Sequence, residues 1–308
     1  MNLQAKRKGQ INVVLHDQEN PNTLKSYEIT HNKDQRFRFI DQAFSSYIGM
    51  ETLKHTLKEI YAKVLVNRKR EEEGLKVEQQ MLHMLFKGNP GTGKTSIARE
   101  IARLFHQMNL LSKGHLIEAE RADLVGEYIG HTAQKTRDLI KKAMGGVLFI
   151  DEAYSLGRGG EKDFGKEAID TLVKHMEDYH QDFVLILAGY PNEMDHFLFL
   201  NPGLKSRFPI IVDFKDYTVD ELLEIAQIIT ERKQYELTQS AYFKFRNHLR
   251  ELQDLQKDNF SNGRYVRNKV EEAIRRQALR LVATNRFGAK DLVSLKPEDF
   301  DFKNETYP

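Results

Sequence analysis

Phe86-Lys87-Gly88-Asn89-Pro90-Gly91-Thr92-Gly93-Lys94-Thr95 is the stretch that decides the fold. It contains G-x-x-x-x-G-K-T. An apolar run from Met81 to Phe86, broken by His83, precedes it, and Ile97, Ala98, Ile101, Ala102 and Phe105 recur behind it at helical spacing. Strand, glycine loop and helix, in that order, form the setting in which this motif holds phosphate. Glycines let backbone N–H groups turn inward as an anion nest, and the following helix aims its positive end at the same point. Asn89, Pro90, Gly91, Thr92 and Gly93 then surround the phosphates. Lys94 reaches the outer ones, and the Thr95 hydroxyl can ligate Mg²⁺.

A second run completes the site. Gly146-Val147-Leu148-Phe149-Ile150-Asp151-Glu152 is a short apolar strand ending in two carboxylates. A strand apolar on both faces belongs inside a parallel sheet. Ligands of open α/β sheets sit at the carboxyl ends of such strands, where Asp151 and Glu152 fall. Asp151 suits the Mg²⁺ shell. Glu152, one residue on and pointing differently, suits activation of a water. A plain pair of surface acids capping a strand is the competing reading, weakened by the phosphate loop upstream.

The whole chain fits this. It has 308 residues, enough for two domains, and is 40% hydrophobic and 30% charged with a net charge of +2. That near-neutral balance gives no support for a large nucleic-acid surface. There are no cysteines, which excludes disulfides and zinc–thiolate sites and fits a reducing compartment. No apolar run approaches a membrane span, and the apolar patch at Ile11-Asn12-Val13-Val14-Leu15 is too short for a signal-peptide core. The reading is cytoplasmic.

Three regions follow from the patterning. Residues 1–40 are polar, an arm with one strand-like patch at 11–15. Residues 41–214 alternate helices and strands: a helical pattern over 41–70, then strands at 81–86, 115–117, 147–150, 183–188 and 209–213, with an amphipathic helix over 161–179. After Phe214 only helices are visible, at 220–231, 241–252 and 265–281, so 215–308 reads as a helical lid. The expected fold is α/β: a parallel-sheet nucleotide domain followed by a small α-helical domain.

These motifs, together with Leu187-Ala188-Gly189-Tyr190, Asn201-Pro202-Gly203-Leu204-Lys205-Ser206-Arg207-Phe208 and Asn262-Gly263-Arg264, resemble the AAA+ P-loop ATPases, and within them the CbxX/CfxQ type that includes red-type Rubisco activases. The resemblance covers about residues 45–285. The runs 115–146 and 159–177 look like those of members from spore-forming bacteria, which implies a sporulation role. The resemblance further implies an ATP-driven homo-oligomeric ring, usually a hexamer, that remodels a protein client, with no nucleic acid or membrane involved. On it, Lys94 and Thr95 match the phosphate and Mg²⁺ ligands, and Asp151 and Glu152 the metal-binding and water-activating acids. Ile48 and Gly49 sit where the adenine is contacted. Arg207 matches the arginine finger that serves a neighbour's ATP, and Arg264 the arginine of the second sensor in the lid. Tyr128-Ile129-Gly130 matches the pore loop that grips substrate. The chain departs from the pattern after the fourth strand: Tyr190 and Asn192 are both open as the first sensor. A nucleic-acid motor and a small-molecule phosphotransferase on the same loop are the competing functions.

Arg264 also has a reading independent of family. Asn262 reads as an N-cap, which puts Arg264 in the first turn of the next helix. A cation there opposes the helix dipole by a few tenths to about 1 kcal/mol, a penalty a phosphate would remove. Arg267 follows three residues later. The plain alternative pairs both arginines with Glu271 and Glu272.

Overall fold

Five parallel strands form the frame. The computed structural model describes residues 35–302, apart from 79, 129, 159–163 and 256–259. The strand-like patch at 11–15 therefore lies outside the described residues. The chain divides into two compact units, Met1–Phe39 and Ile40–Pro308. Of the first, the described part includes a 3-10 turn at Gln35–Phe37.

In the second unit the strands are β1 (Met84–Gly88), β2 (Leu116–Ala119), β3 (Val147–Ile150), β4 (Val184–Gly189) and β5 (Ile210–Phe214), in the order β2-β3-β4-β1-β5. Met84 pairs with Ile186 on one side and Ile210 on the other, and Phe149 with Ile186. Every residue of β3 and β4 is buried, as continuous apolar strands in the middle of a parallel sheet must be. The edge strand β5 alternates instead, with Ile211 and Asp213 turned outward. Because β3, β4 and β1 are neighbours, their carboxyl ends open side by side, at the usual place for a ligand in such a sheet.

Helices α1 (Arg38–Ala43), α2 (Glu51–Glu72), α3 (Lys94–Gln107), α4 (Arg121–Leu124), α5 (His131–Ala143), α6 (Gly165–Asp178), α7 (Pro191–Leu200) and α8 (Pro202–Lys205) accompany the sheet. The continuous helix expected over 41–70 is broken at 44–50. Gly49 there holds φ +71, a left-handed conformation that ends helical geometry, while Phe44 and Met50 on either side are buried.

After β5 the chain builds a separate core from α9 (Val219–Arg232), α10 (Gln239–Leu255) and α11 (Asn262–Thr284), centred on Leu222, Phe245, Leu249, Val266 and Val270. The start of α9 is a capping box: Thr218 accepts the Glu221 N–H while the Glu221 carboxylate accepts the Thr218 N–H. The expectation of helices alone is corrected here. β6 (Glu236–Leu237) pairs in parallel with β7 (Ser294–Leu295), just after α12 (Ala289–Val293). Two-residue strands carry no periodicity, so no pattern could announce them. Buried Gln277 fastens this segment to α11 by donating to the carbonyls of Asp291 and Leu292. Among the described residues no helix is long and apolar enough to cross a membrane.

His83, just before β1, is fully buried. Its Nδ1 accepts the Leu185 N–H at 3.0 Å, so the proton sits on Nε2, which donates to the Met176 carbonyl at 3.2 Å. Both nitrogens are satisfied only in the neutral ring, and burial pushes the imidazole down to about 4. The unfolded chain takes up the proton near pH 6.5 while the folded chain refuses it. The contribution of His83 is therefore complete above about pH 6.5 and is lost as pH falls toward about 4, an effect of about 3 kcal/mol. His83→Gln keeps a donor and an acceptor without titrating. Urea unfolding at a series of pH values is expected to show a shallower loss of stability between pH 7 and 4 in this variant than in the wild type. Identical pH profiles would contradict the assignment.

Candidate functional site

The phosphate loop takes its shape from two left-handed glycines. Gly91 has φ +72 and Gly93 φ +96, and Gly93 serves as the N-cap of α3. Thr92 is buried, with its hydroxyl bonded to the Asn89 carbonyl at 2.8 Å. The Lys94 ammonium donates to the carbonyls of Gly88 (2.7 Å) and Asn89 (2.8 Å), which keeps it over the loop. Burial lowers its pKa, and Asp151 acts in the opposite direction.

A cleft of about 390 Å³ opens here. Its floor is Pro90, Gly91, Gly93, Lys94 and Thr95, with Asp151 and Glu152 from the end of β3 and Gly189 and Tyr190 from the end of β4. One wall is Ser46, Tyr47 and Ile48, from the break between α1 and α2. The roof is Ile225, Ile228, Ile229 and Arg232 of α9 with Gly263, Arg264 and Arg267 of α11. One end is thus apolar, the other cationic with two carboxylates. A wider depression of about 760 Å³ lies at the amino ends of β2, β3 and β4 and contains none of these residues.

At the carboxylates, Asp151 Oδ1 accepts the Glu152 N–H at 3.0 Å. Glu152 adopts φ +47 and ψ +41, a left-handed turn uncommon for a residue with a side chain. That turn sends Glu152 off the strand direction kept by Asp151. Thr95 and Asp151 both present oxygens to the same cleft, and among the described residues no cluster of three or more His, Asp or Glu could hold an ion alone. Two protein oxygens completed by phosphates and water is a donor set that fits Mg²⁺.

The joint between loop and lid was not visible in the sequence. Asn262 is no N-cap: Ser261 holds that position, and Asn262 is the first residue of α11, buried, with φ +45. Its amide donates to Asp216 Oδ1 at 2.7 Å and to the Phe260 carbonyl at 2.8 Å, and its carbonyl oxygen accepts the Tyr217 N–H at 3.0 Å. Asp216 also accepts from the Asn89 side chain at 2.9 Å. The Asn89 side chain is therefore committed to this joint. The Gly263 N–H donates directly to the Gly91 carbonyl at 3.1 Å. The Tyr217 hydroxyl, pushed up to about 12 chiefly by burial and so protonated at neutral pH, donates to the Thr92 carbonyl at 3.0 Å.

Arg264 lies in the first turn of α11, and both it and Arg267 face the cleft. Their expected alternatives are engaged elsewhere: Glu271 with Lys233 at 2.7 Å, Glu272 with Lys269 and Arg276. Ile48 lines the cleft; Gly49 provides the turn beside it. Tyr190 lines the cleft and packs against Tyr154, whereas Asn192 is an exposed residue of α7 outside the lining. Arg207 also lies outside it, bonded to Glu177 of α6. Tyr128 is 65% exposed in the loop before α5, its ring edge-on to His131, and Ile129 lies outside the described residues.

Comparison with known proteins agrees with this architecture. Residues 84–216 match the ATPase family associated with various cellular activities (AAA), and residues 218–307 match the AAA lid domain. The chain belongs to the AAA ATPase family. Stage V sporulation protein K of Bacillus subtilis (strain 168) is 56% identical over 97% of this chain and 96% of that protein. The chloroplastic ribulose bisphosphate carboxylase/oxygenase activase of Cyanidioschyzon merolae (strain NIES-3377 / 10D) is 45% identical over 84% of this chain and 89% of its own. The chromosomal protein CbxX of Cupriavidus necator is 45% identical over 76% and 74%. In this AAA ATPase the sequence motifs locate the cleft floor. The apolar roof had a weaker signal: α9 puts Leu222, Leu223 and Ala226 in the lid core, and Ile225 and Ile229, which pack on that core, line the cleft together with Ile228.

A Cβ at position 91 would lie 2.1 Å from the Ser261 carbonyl oxygen and 2.8 Å from the Arg264 nitrogen. Gly91→Ala is therefore expected to push the lid off the loop. At the usual overpacking cost of about 1–3 kcal/mol, ATP affinity should fall by roughly one order of magnitude with secondary structure retained. Nucleotide titration beside circular dichroism checks this, and unchanged affinity would mean that the lid does not need its seat.

Proposed function

We propose that this chain hydrolyses ATP in a ring of identical copies, six in number, and uses the reaction to remodel a protein client. In this reading 41–214 form the ATPase domain, 215–308 the lid, and 1–40 an added arm. The carrying observation is a division among residues. Lys94, Thr95, Asp151, Glu152 and Arg264 share one cleft, while Arg207 stands outside it, bonded to Glu177. A cleft that gathers Lys94, Thr95, Asp151, Glu152 and Arg264 but not the finger supports a site completed by a second copy.

The chemistry assigned to the residues follows from their placement. The apolar end beside Ile48, Ile225 and Ile229 takes the base. The loop N–H groups and Lys94 hold the β- and γ-phosphates, and Arg264 meets them from the lid. Thr95 and Asp151 would hold Mg²⁺, which when bound neutralises charge on those phosphates. Glu152 takes a proton from water as its oxygen bonds to the γ-phosphorus, and the bond to the bridging oxygen of ADP breaks. Arg207 of the adjoining copy offsets charge that grows during transfer. Tyr190 is the better-placed first sensor. Exposed Tyr128 grips the client, and the high identity to a sporulation protein supports a client in that process, in the cytoplasm.

Two single variants and their mixture test the shared site. Glu152→Gln is expected to bind ATP and turn over about 10²- to 10⁴-fold more slowly. Arg207→Ala should bind ATP normally and lose about 10³- to 10⁵-fold. Mixing them should restore activity, because some interfaces then join a wild-type Glu152 to a wild-type Arg207. Absence of recovery in rings shown to be mixed would refute trans action.

Tyr128→Ala is expected to retain ATP hydrolysis within about 2-fold, since surface changes away from a reacting centre have small effects. Client remodelling should be lost. Intact remodelling, measured on a client trapped by Glu152→Gln, would remove Tyr128 from the pore.

A further inference from the structure

Arg207 is held in a particular way. Its Nε donates to Glu177 Oε1 at 3.0 Å, its Nη2 donates to the same oxygen, and its Nη1 donates to the Gly203 carbonyl. A guanidinium carries five N–H groups: two are engaged along the Nε–Nη2 edge and one more from Nη1, so two remain. The partners are firmly based. Glu177 lies near the end of α6, next to Met176, which is fully buried. Arg207 is next to Phe208, also buried. Beneath both lies His83, which donates to the Met176 carbonyl and packs its ring 6.3 Å from that of Phe208. The pair is thus exposed at its tips, with side-chain exposures of 23% for Arg207 and 50% for Glu177, and anchored through neighbours that meet at one core residue.

An exposed ion pair contributes little to folding. Holding a flexible arginine in one orientation is a different service, because a displacement of about 1 Å can cost about 10²-fold in rate. We propose that Glu177 is the positioning residue for Arg207: it grips one edge of the guanidinium so that the two remaining N–H groups are presented to the γ-phosphate held by the next copy. This rests on the shared-site reading above.

A single oxygen of Glu177 accepts both bonds, so an amide oxygen can replace it and a methyl group cannot. Glu177→Ala is expected to lower kcat by roughly 10- to 100-fold with KM for ATP held within about 2-fold, the pattern of an interaction made only in the transition state. Glu177→Gln should recover most of the loss. Because Glu177 acts through the donated arginine, Glu177→Ala subunits should regain activity when mixed with Glu152→Gln subunits, whose own fingers are intact. Mixed with Arg207→Ala subunits they should regain none, since every finger in such a ring is defective. A merely structural residue would not reproduce this one-sided pattern. Wild-type turnover by Glu177→Ala, loss of its fold, or failure of Glu152→Gln to rescue it while still rescuing Arg207→Ala would overturn the positioning role alone. Failure to rescue Arg207→Ala as well would bring down the shared-site reading and this proposal together.

Discussion

The carboxylate of Asp216 accepts from Asn89 on the phosphate loop and from Asn262 at the head of the lid helix α11. That acceptor ties the floor of the cleft to its roof, beside the Gly263–Gly91 and Tyr217–Thr92 bonds. Charge-assisted bonds of this kind are short and about twice as strong as neutral ones. Buried Asn262 makes the joint hard to open, since separating it from Asp216 and Tyr217 would leave polar atoms with neither protein nor water as partner. The Gly263–Gly91 backbone bond then sets the register, and Arg264 comes over the loop as a geometric consequence. The position of a key arginine is fixed by neutral and acidic neighbours that never need to touch nucleotide.

Two hydrophobic cores meet at this joint. One fills the sheet layer around Leu148, Leu185 and Leu172, and the other lies inside the lid around Leu222, Phe245 and Val270. Each core is internally complete, so the lid can change its attitude to the sheet without unpacking either side. What it has to break is the small set of polar bonds at the joint. Such an arrangement suits a site whose cover must respond to what lies beneath it.

Much of this was legible in the chain because the features are local. Loop 88–95 needs its glycines in series, β3 and β4 are buried on both faces and so read as unbroken apolar runs, and Asp151 follows β3 directly. Most of the misses are long-range or too short to have a period. Asn262 looked like a cap because asparagine before a helix usually is one, and nothing within its own segment reveals that its amide is spent on Asp216. The helical pattern over 220–231 does not say which of its isoleucines line the cleft, because the loop opposite them is distant in sequence. The β6–β7 pair depends on a partner distant in sequence, while the break at 44–50 turns on Gly49, whose left-handed conformation the helical spacing around it concealed. The partnership of Arg207 with Glu177 spans thirty residues of chain.

Gly91 carries an implication of a different kind. At Gly93 an added methyl group would meet nothing closer than 3.6 Å, so the requirement there is one of backbone conformation alone. At Gly91 the space itself is taken, by the main chain at the entrance to α11. Gly93 therefore answers to the phosphate loop alone, whereas Gly91 answers twice: to the loop through its φ of +72, and to the lid through the space it leaves. A descendant that lost or re-angled its lid would shed only the second demand at 91, and the left-handed backbone would still favour glycine at both positions. Residue 91 is thus the point at which the nucleotide motif and the lid constrain the same backbone.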